Sequence, residues 1–450
     1  MKKATAKKPS ANGKHGGKGR KIPKINEPTR REMYSWALYD WANSAYATTV
    51  MAGFFPVFFK EYWSRGLEAT QSTYYLGVAN SSAGLAIALL APFLGALADQ
   101  GFGKKIFLAS FTLLGCLTTA SLFGVEMGDW SSAAWLYGLS NFAFGGALIF
   151  YDALLVDVSV REKMDKVSSW GYAVGYLGGG LLFTLNVLMY LKHDLFGLSS
   201  GPLGIRLSFV SVAGWWLLFS LPLFLWVRER YRPSKQPRLG QAIASSSRNL
   251  VAMFKKIGHH RPLLLFLTAY FIYIDGVNTI ITMAVDYGMA LGFSSADLIG
   301  ALLIVQFVGF PSALLVLKIS RHIGAQRGIL CCLLVYALIT VMATQMTAAW
   351  HFYVMAGGIG LVQGGVQALS RSIYARMIPP HEAGEFFGFF NLLTKFSAIM
   401  GPFLVGLTSL VTGEPRWSLL VILLMFLVGA VLLFRVNANY QVQPQNNVAQ

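Results

Sequence analysis

Two short words carry most of the chemistry in this chain. "YDWANSAY" sets Asp40, Asn43, Ser44 and Ala47 on one helical face by i, i+3, i+4 spacing, and "IDGVNTII" does the same for Asp275, Asn278, Thr279 and Thr282. Both lie inside stretches apolar enough to cross a bilayer. A carboxylate at mid-membrane costs about 2.5 to 3.5 kcal/mol on insertion scales, so each must face a water-filled cavity or another helix. In the first case Asp40 and Asp275 could load and unload a proton or hold a polar solute. In the second they brace a neighbouring helix through Asn, Tyr or Trp.

Other polar faces fit the same picture. Gln363, Gln367 and Arg371 recur at i, i+4, i+8; Tyr172, Tyr176, Gly179 and Asn186 form a stripe; and Lys395 shares a face with Asn391. An amino acid needs an acceptor for its ammonium and a donor for its carboxylate, and aspartate with arginine, lysine or amide groups offers both. Ordinary interhelical hydrogen bonds, worth about 0.6 kcal/mol per pair, are the alternative reading of these faces. Asp152, Asp157, Arg371 and Arg376 come late in spans that run inward. They belong near the cytoplasmic mouth, where an Asp152–Arg371 ion pair could close the two halves of the chain.

These residues need a scaffold, and the composition names it. The chain has 450 residues, 55% hydrophobic and 13% charged, with mean hydropathy +0.52. That balance marks a polytopic membrane protein. Bilayer-crossing helices need roughly 20 mostly apolar residues. Twelve such stretches are expected, at 34–62, 74–98, 104–125, 131–156, 168–191, 207–228, 262–286, 296–318, 327–347, 350–376, 386–411 and 416–436. Barrel-type alternation is absent, so helices must satisfy the backbone in lipid.

The net charge of +17 raises the question of nucleic acid, and its location answers it. Eleven basic residues lie in 1–33 and nine in 228–261. By the positive-inside rule both termini and the central loop are cytoplasmic, and the charge records orientation. The expected organisation is a disordered basic tail (1–33), a six-helix bundle (34–228), a basic linker (229–261), a second bundle (262–436) and a disordered tail (437–450). The basic leader could touch anionic lipid headgroups. Cys116, Cys331 and Cys332 lack metal-ligand spacing and read as small buried apolar residues. No cleavable signal peptide is visible; the first span is its own insertion signal.

The halves look duplicated. Besides the Asp-x-x-Asn-Ser/Thr pair, "GGALIFYDALLVDVS" lies over "GGVQALSRSIYARMI", setting Asp152 on Arg371, and "ADQGFGKK" over "ISRHIGAQR". Gly171, Gly175 and Gly179 give small-xxx-small spacing suited to close helix packing. This arrangement resembles the major facilitator superfamily. "LGALADQGFGKK" is similar to its signature loop, carried here by Gly95, Leu97, Asp99, Gly103, Lys104 and Lys105, although one residue is inserted before Gly103 and Gln100 replaces the usual basic residue. A gating role for Gly95, Asp99, Gly103, Lys104 and Lys105 is what that resemblance implies. "YDWANSAYATTVMAGFFPVFF", "FYDALLVDVS", "VSSWGYAVGYLGGGLL" and "QGGVQALSRSIYARMIP" look like the branch holding the autophagy-linked vacuolar amino-acid effluxers and their bacterial relatives.

That resemblance implies an all-α membrane protein with twelve transmembrane helices in two pseudo-symmetric six-helix bundles. It implies rocker-switch alternating access with spans 1, 4, 7 and 10 lining the cavity. No Walker loop, HExxH or CxxC occurs, so neither an ATP-driven pump nor an enzyme is expected, and no cofactor or metal. The expected partners are a small-molecule substrate and the lipid bilayer, with no nucleic acid, and the expected state is a monomer. The reading is a proton-coupled secondary carrier exporting amino acids. A carrier for sugars, peptides or drugs, and a non-transporting scaffold or sensor, stand as alternatives. A bacterial plasma membrane is the expected location, with a vacuolar membrane as the alternative.

Overall fold

The computed structural model describes residues 27–233, 239–290, 294–412 and 415–442. The expected disorder of 1–26 and 443–450 lies outside the described residues. Twelve helices occupy the places of the twelve expected spans. α1 covers Arg30–Ala45 and continues, partly with π-helical winding, through Tyr46–Phe54, Phe55–Phe58 and Phe59–Trp63. Then follow α2 (Ala69–Leu97), α3 (Lys104–Ser121), α4 (Trp130–Ala153), α5 (Met164–Leu191) and α6 (Gly201–Trp226). The second half holds α7 (Arg261–Ala290), α8 (Ser295–Ile323), α9 (Ala325–Ala343), α10 (Ala349–Met377), α11 (Ala383–Thr412) and α12 (Pro415–Phe434). No strand occurs among the described residues.

Among the described residues, ten of these helices are long and apolar enough to cross a membrane. The other two are α1, which is diluted by the polar residues discussed above, and α12, whose described apolar stretch Leu419–Phe434 is shorter.

The boundaries moved where the sequence reading overlooked caps and packing. α1 begins at Arg30 because Thr29 and Glu32 form a capping box: the Glu32 N–H donates to Thr29 Oγ1 (3.3 Å) and the Thr29 N–H to the Glu32 carboxylate (2.8 Å). Residues 30–33, assigned to the tail, are therefore helical. Residues 437–442, also assigned to a tail, pack on the bundle: the Val442 N–H donates to Met377 O (2.9 Å), and Tyr440 hydrogen-bonds His260 (2.6 Å). The linker contains a helix, Leu239–His259, whose buried stripe Ala242, Ser246, Met253 and Ile257 has helical spacing. Cys116 and Cys332 are buried, but Cys331 is exposed.

Packing repeats between halves. Within the first, α1 packs on α5 and α6, α2 on α4, and α3 on α4 and α6; within the second, α7 packs on α11 and α12, α8 on α10, and α9 on α10 and α12. Across the halves α2 meets α11 and α5 meets α8, while α4 meets α11 and α5 meets α10. Exchanging α1–α6 for α7–α12 reproduces the set, which is a pseudo-twofold relation.

The turns repeat too. Gly103 (φ +91°) and Gly324 (φ +90°) lead into α3 and α9 at angles that disfavour side chains. Two residues on, Lys105 Nζ donates to Phe224 O (2.8 Å) and Val227 O (2.7 Å) at the end of α6, and Gln326 Nε2 donates to Leu433 O (2.7 Å) and Val436 O (3.0 Å) at the end of α12. Each closes the C-terminal carbonyls of its half's last helix. Gln326→Ala should cost about 1 to 2 kcal/mol, seen as a lower unfolding temperature in detergent. An unchanged midpoint would show that water caps α12 equally well.

Candidate functional site

Two kinds of observation locate the site: the contacts that join the halves, and the polar side chains left without partners. The end of the molecule bearing Arg30, the α2–α3 and α4–α5 turns and the linker helix is termed the base. There the halves are held together. The Asp99 carboxylate at the end of α2 accepts from the backbone N–H groups of Gly384 (3.0 Å) and Glu385 (2.8 Å), capping α11 from across the interface. Gly95 stands one turn earlier, where an added Cβ would lie 2.1 Å from Gly384 O. Arg376 pairs with Asp165 at 2.5 Å, and Ser168 Oγ donates to Ala368 O at 2.8 Å.

Lys104 and Lys105, grouped with the gate on sequence, bond within the first half instead. Lys104 Nζ reaches Asp157 (2.8 Å), and Glu229 accepts the Lys104 and Lys105 N–H groups (2.7 and 3.1 Å), capping α3. Gly103 lies in the same turn beside Glu229. Among the described residues, the signature loop meets the second half through Gly95 and Asp99. Gln100 has its own use, since Nε2 donates to Ser246 Oγ of the linker helix (2.7 Å).

Deeper in the interface lies a charged centre. Arg371 of α10, 2% exposed, reaches into the first half. Its Nη1 lies 2.9 Å from Asp152 of α4 and its Nη2 3.5 Å from Asp40 of α1, and Nε donates to Ser168 Oγ of α5 (2.9 Å). The guanidinium carbon stands 4.8 Å from the Trp36 ring centre, 5.4 Å from Tyr151 and 4.4 Å from Tyr172. Tyr151 donates to Asp40 (2.7 Å). Sequence had set Asp40 in a deep binding site and Asp152 at a separate mouth; one arginine joins them. Trp36, Tyr151 and Ser168 were missed, although Trp36 lies one turn before Asp40 and Tyr151 precedes Asp152.

The companions of Asp40 do not join this centre. Ser44 lies on the α1–α5 seam, where a Cβ on Gly175 would come 2.7 Å from its Oγ, and Asn43 is buried in the first half with Nδ2 unpartnered. The close packing predicted from the glycine spacing of α5 is this seam. In the second half Asp275 accepts the Gly401 N–H (2.8 Å) just before Pro402 of α11, Thr279 donates to the Asp275 carbonyl (2.7 Å), and Asn278 donates to Ser397 (3.2 Å). Asp275 braces a helix, the alternative allowed on sequence. The repeat is geometric as well, since Asp40 abuts Gly171 of α5 as Asp275 abuts Gly401 of α11.

Above the charged centre, half-buried Gln363, Gln367 and Lys395 have no polar partner among the described residues. Gln367 and Gln363 stand one and two turns beyond Arg371 on α10, roughly 6 and 12 Å along the axis. Lys395, whose place in its helix allows either a cavity carboxylate or an anionic group as partner, has no carboxylate partner among the described residues; its Cε would lie 3.5 Å from a Cβ on Gly145 of α4, two turns beyond Asp152. Tyr176 inserts its ring between Gly309 and Gly364.

Farther from the base, α2 buries Ser72, Ala79, Ala83, Ile87 and Ala88 and leaves Ser81 and Ser82 exposed. The ion pairs and backbone caps that join the halves thus gather toward the base. No metal-binding group of three or more ligand side chains occurs among the described residues. A basal cavity of about 300 Å³ beside Arg161, Arg230 and Arg376 is separate from the charged centre.

Against known proteins, residues 65–445 match the family model described as "Vacuole effluxer Atg22 like". The chain is 37% identical over 404 residues to the "Uncharacterized MFS-type transporter YxiO" of Bacillus subtilis (strain 168), covering 89% of this chain and 93% of that protein. It is 27% identical over 287 residues to autophagy-related protein 22-2 of Aspergillus clavatus, covering 58% of this chain and 46% of that protein. The match thus spans about half the length of that fungal relative. Among solved structures it resembles FucP, described as a major facilitator superfamily transporter in the outward conformation (TM-score 0.65, 12% identity, 90% and 97% coverage). It also resembles the proton:xylose symporter XylE (TM-score 0.63, 14% identity, 90% and 94% coverage).

Proposed function

Because this chain belongs to the Atg22-like branch of the major facilitator superfamily and is an MFS-type transporter, we propose that it is a secondary carrier exporting amino acids in exchange for protons. The observation that carries the reading is the Asp40–Arg371–Asp152 centre. It joins the halves at the base beneath the unpartnered Gln363, Gln367 and Lys395. A zwitterion held between the bundles meets amide and ammonium donors for its carboxylate and, nearer the base, carboxylates for its ammonium.

In this reading the base is cytoplasmic, both termini lie there, and the membrane is a bacterial plasma membrane. The protein acts as a monomer. Breaking the contacts of Asp99 and Arg371 opens the base while the other end closes, which is alternating access by rocking bundles. Asp40 carries the exchanged proton, and Asp275 maintains the shape of α11.

Proteoliposomes loaded with labelled amino acids, under an imposed proton gradient, test this. Expected is saturable efflux accelerated by external acid and accompanied by inward proton movement. Flux of sugars, peptides or drugs without amino-acid flux would replace the cargo. No flux of any solute would favour a scaffold or sensor.

A further inference from the structure

Arg371 is the one member of the charged centre that belongs to the second half. Its carboxylate and aromatic partners come from the first: Trp36 and Asp40 on α1, Tyr151 and Asp152 on α4, and Tyr172 on α5, with Ser168 of α5 accepting from Nε. The first half therefore contains a complete cation receptor, with two carboxylates and three aromatic rings, and the second half fills it with a tethered guanidinium. Aromatic cages of this kind hold ammonium groups through the ring faces, with adjacent carboxylates adding charge.

The receptor is braced independently of its occupant. Trp36 Nε1 donates to Tyr151 O (2.9 Å), and the Trp36 and Tyr151 rings stack at 4.5 Å. Tyr39 stacks on Tyr151 at 5.0 Å and is fixed by Thr112 (2.7 Å) and Trp216 (3.3 Å). Tyr151 aims its hydroxyl at Asp40 (2.7 Å). None of these contacts involves the second half, so the wall formed by Trp36, Asp40 and Tyr151 keeps its shape when the base opens and Arg371 is withdrawn.

We infer that the cage of Trp36, Asp40, Tyr151, Asp152 and Tyr172 is the binding site for the cargo's ammonium group, and that Arg371 is its built-in competitor. When the base is shut, the guanidinium occupies the cage. When the base opens, two buried carboxylates lose their countercharge, a state that must be relieved by another cation. A cargo ammonium supplies it, so opening and loading are linked by exchange of one cation for another. The cargo class follows: compounds with a primary ammonium are recognised, and isosteres lacking it are not. This rests on the amino-acid reading above and deepens it.

The test uses purified full-length protein and two probes, L-leucinamide, which carries the ammonium, and 4-methylpentanamide, which lacks it. Arg371→Gln removes the competitor and should bind leucinamide at least about tenfold more tightly than the wild type, with 4-methylpentanamide unchanged. Asp40→Asn or Trp36→Leu in the Arg371→Gln background should cancel the gain. Should Arg371→Gln misfold, Gly95→Ala, which forces the base apart with Arg371 intact, should give the same selective gain. Equal gains for both probes, or no gain in either variant, overturn the inference. Amino-acid flux by the wild type without any ammonium gain defeats this inference alone. A gain without flux defeats the transport reading and leaves the receptor standing.

Discussion

Asp152→Arg should abolish transport, and Asp152→Arg combined with Arg371→Asp should restore part of it. The first effect follows from burial. Arg371 is 2% exposed and 2.9 Å from Asp152, so reversal buries two cations side by side while the base is shut. Removing one partner of a buried pair already costs about 3 to 5 kcal/mol, and like charges add to that. The penalty exists only while the halves touch, so the equilibrium moves to the base-open form. At about 1.4 kcal/mol per tenfold, even the lower figure shifts the populations by more than about 100-fold. Transport needs both forms, and rate should fall accordingly.

The double reversal re-forms a pair across the same interface but sets the new aspartate at 371 near Asp40, which now lies 3.5 Å from Arg371 Nη2. Rescue is therefore incomplete, and adding Asp40→Asn should improve the closure of the base while removing the exchanged proton. Closure is read from the labelling of a cysteine placed at Ser372, which is buried at the interface beside Asp165. Counterflow in proteoliposomes reads transport. Wild-type flux in Asp152→Arg, or identical cysteine labelling in all three proteins, would show that the pair does not hold the halves together.

The sequence disclosed most of the architecture, for a physical reason. Twelve apolar stretches follow from bilayer thickness, and the repeats of Asp-x-x-Asn and Gly-Gly follow from a duplicated bundle; both are local patterns. The Asp152–Arg371 alignment was visible because pseudo-symmetry puts equivalent positions of α4 and α10 opposite each other. Trp36 and Tyr151 were not legible as cage walls, because an aromatic next to a carboxylate in a membrane helix looks the same whether it packs or binds. Likewise Asp40 and Asp275 share one motif yet meet different neighbours. Asp40 finds an arginine from the other half, whereas Asp275 finds a backbone N–H that α11 presents just before Pro402. The linker helix was hidden for a different reason: its buried stripe includes Ala242 and Ser246, residues too small or polar to register as an apolar period.

Gly95→Ala should be as damaging as the charge reversal, although it adds a single methyl group. A Cβ at 95 would lie 2.1 Å from Gly384 O and 2.5 Å from its carbonyl carbon, and these are backbone atoms, which no rotamer change can move. The strain can be relieved only by separating α2 from α11. That separation also removes the Asp99 cap from the N–H groups of Gly384 and Glu385. Gly84→Ala is the control within the same helix, since nothing lies within 4 Å of its Cβ. Alanine raises helix propensity by about 1 kcal/mol at either site, so propensity cannot separate the two variants; only the interface can. Expected is a loss of transport exceeding about 100-fold in Gly95→Ala, with faster labelling of the Ser372 cysteine, and near wild-type behaviour in Gly84→Ala. Equal transport in the two variants would mean that the halves do not meet at Gly95 during the cycle, and that Asp99 caps α11 without governing the opening of the base.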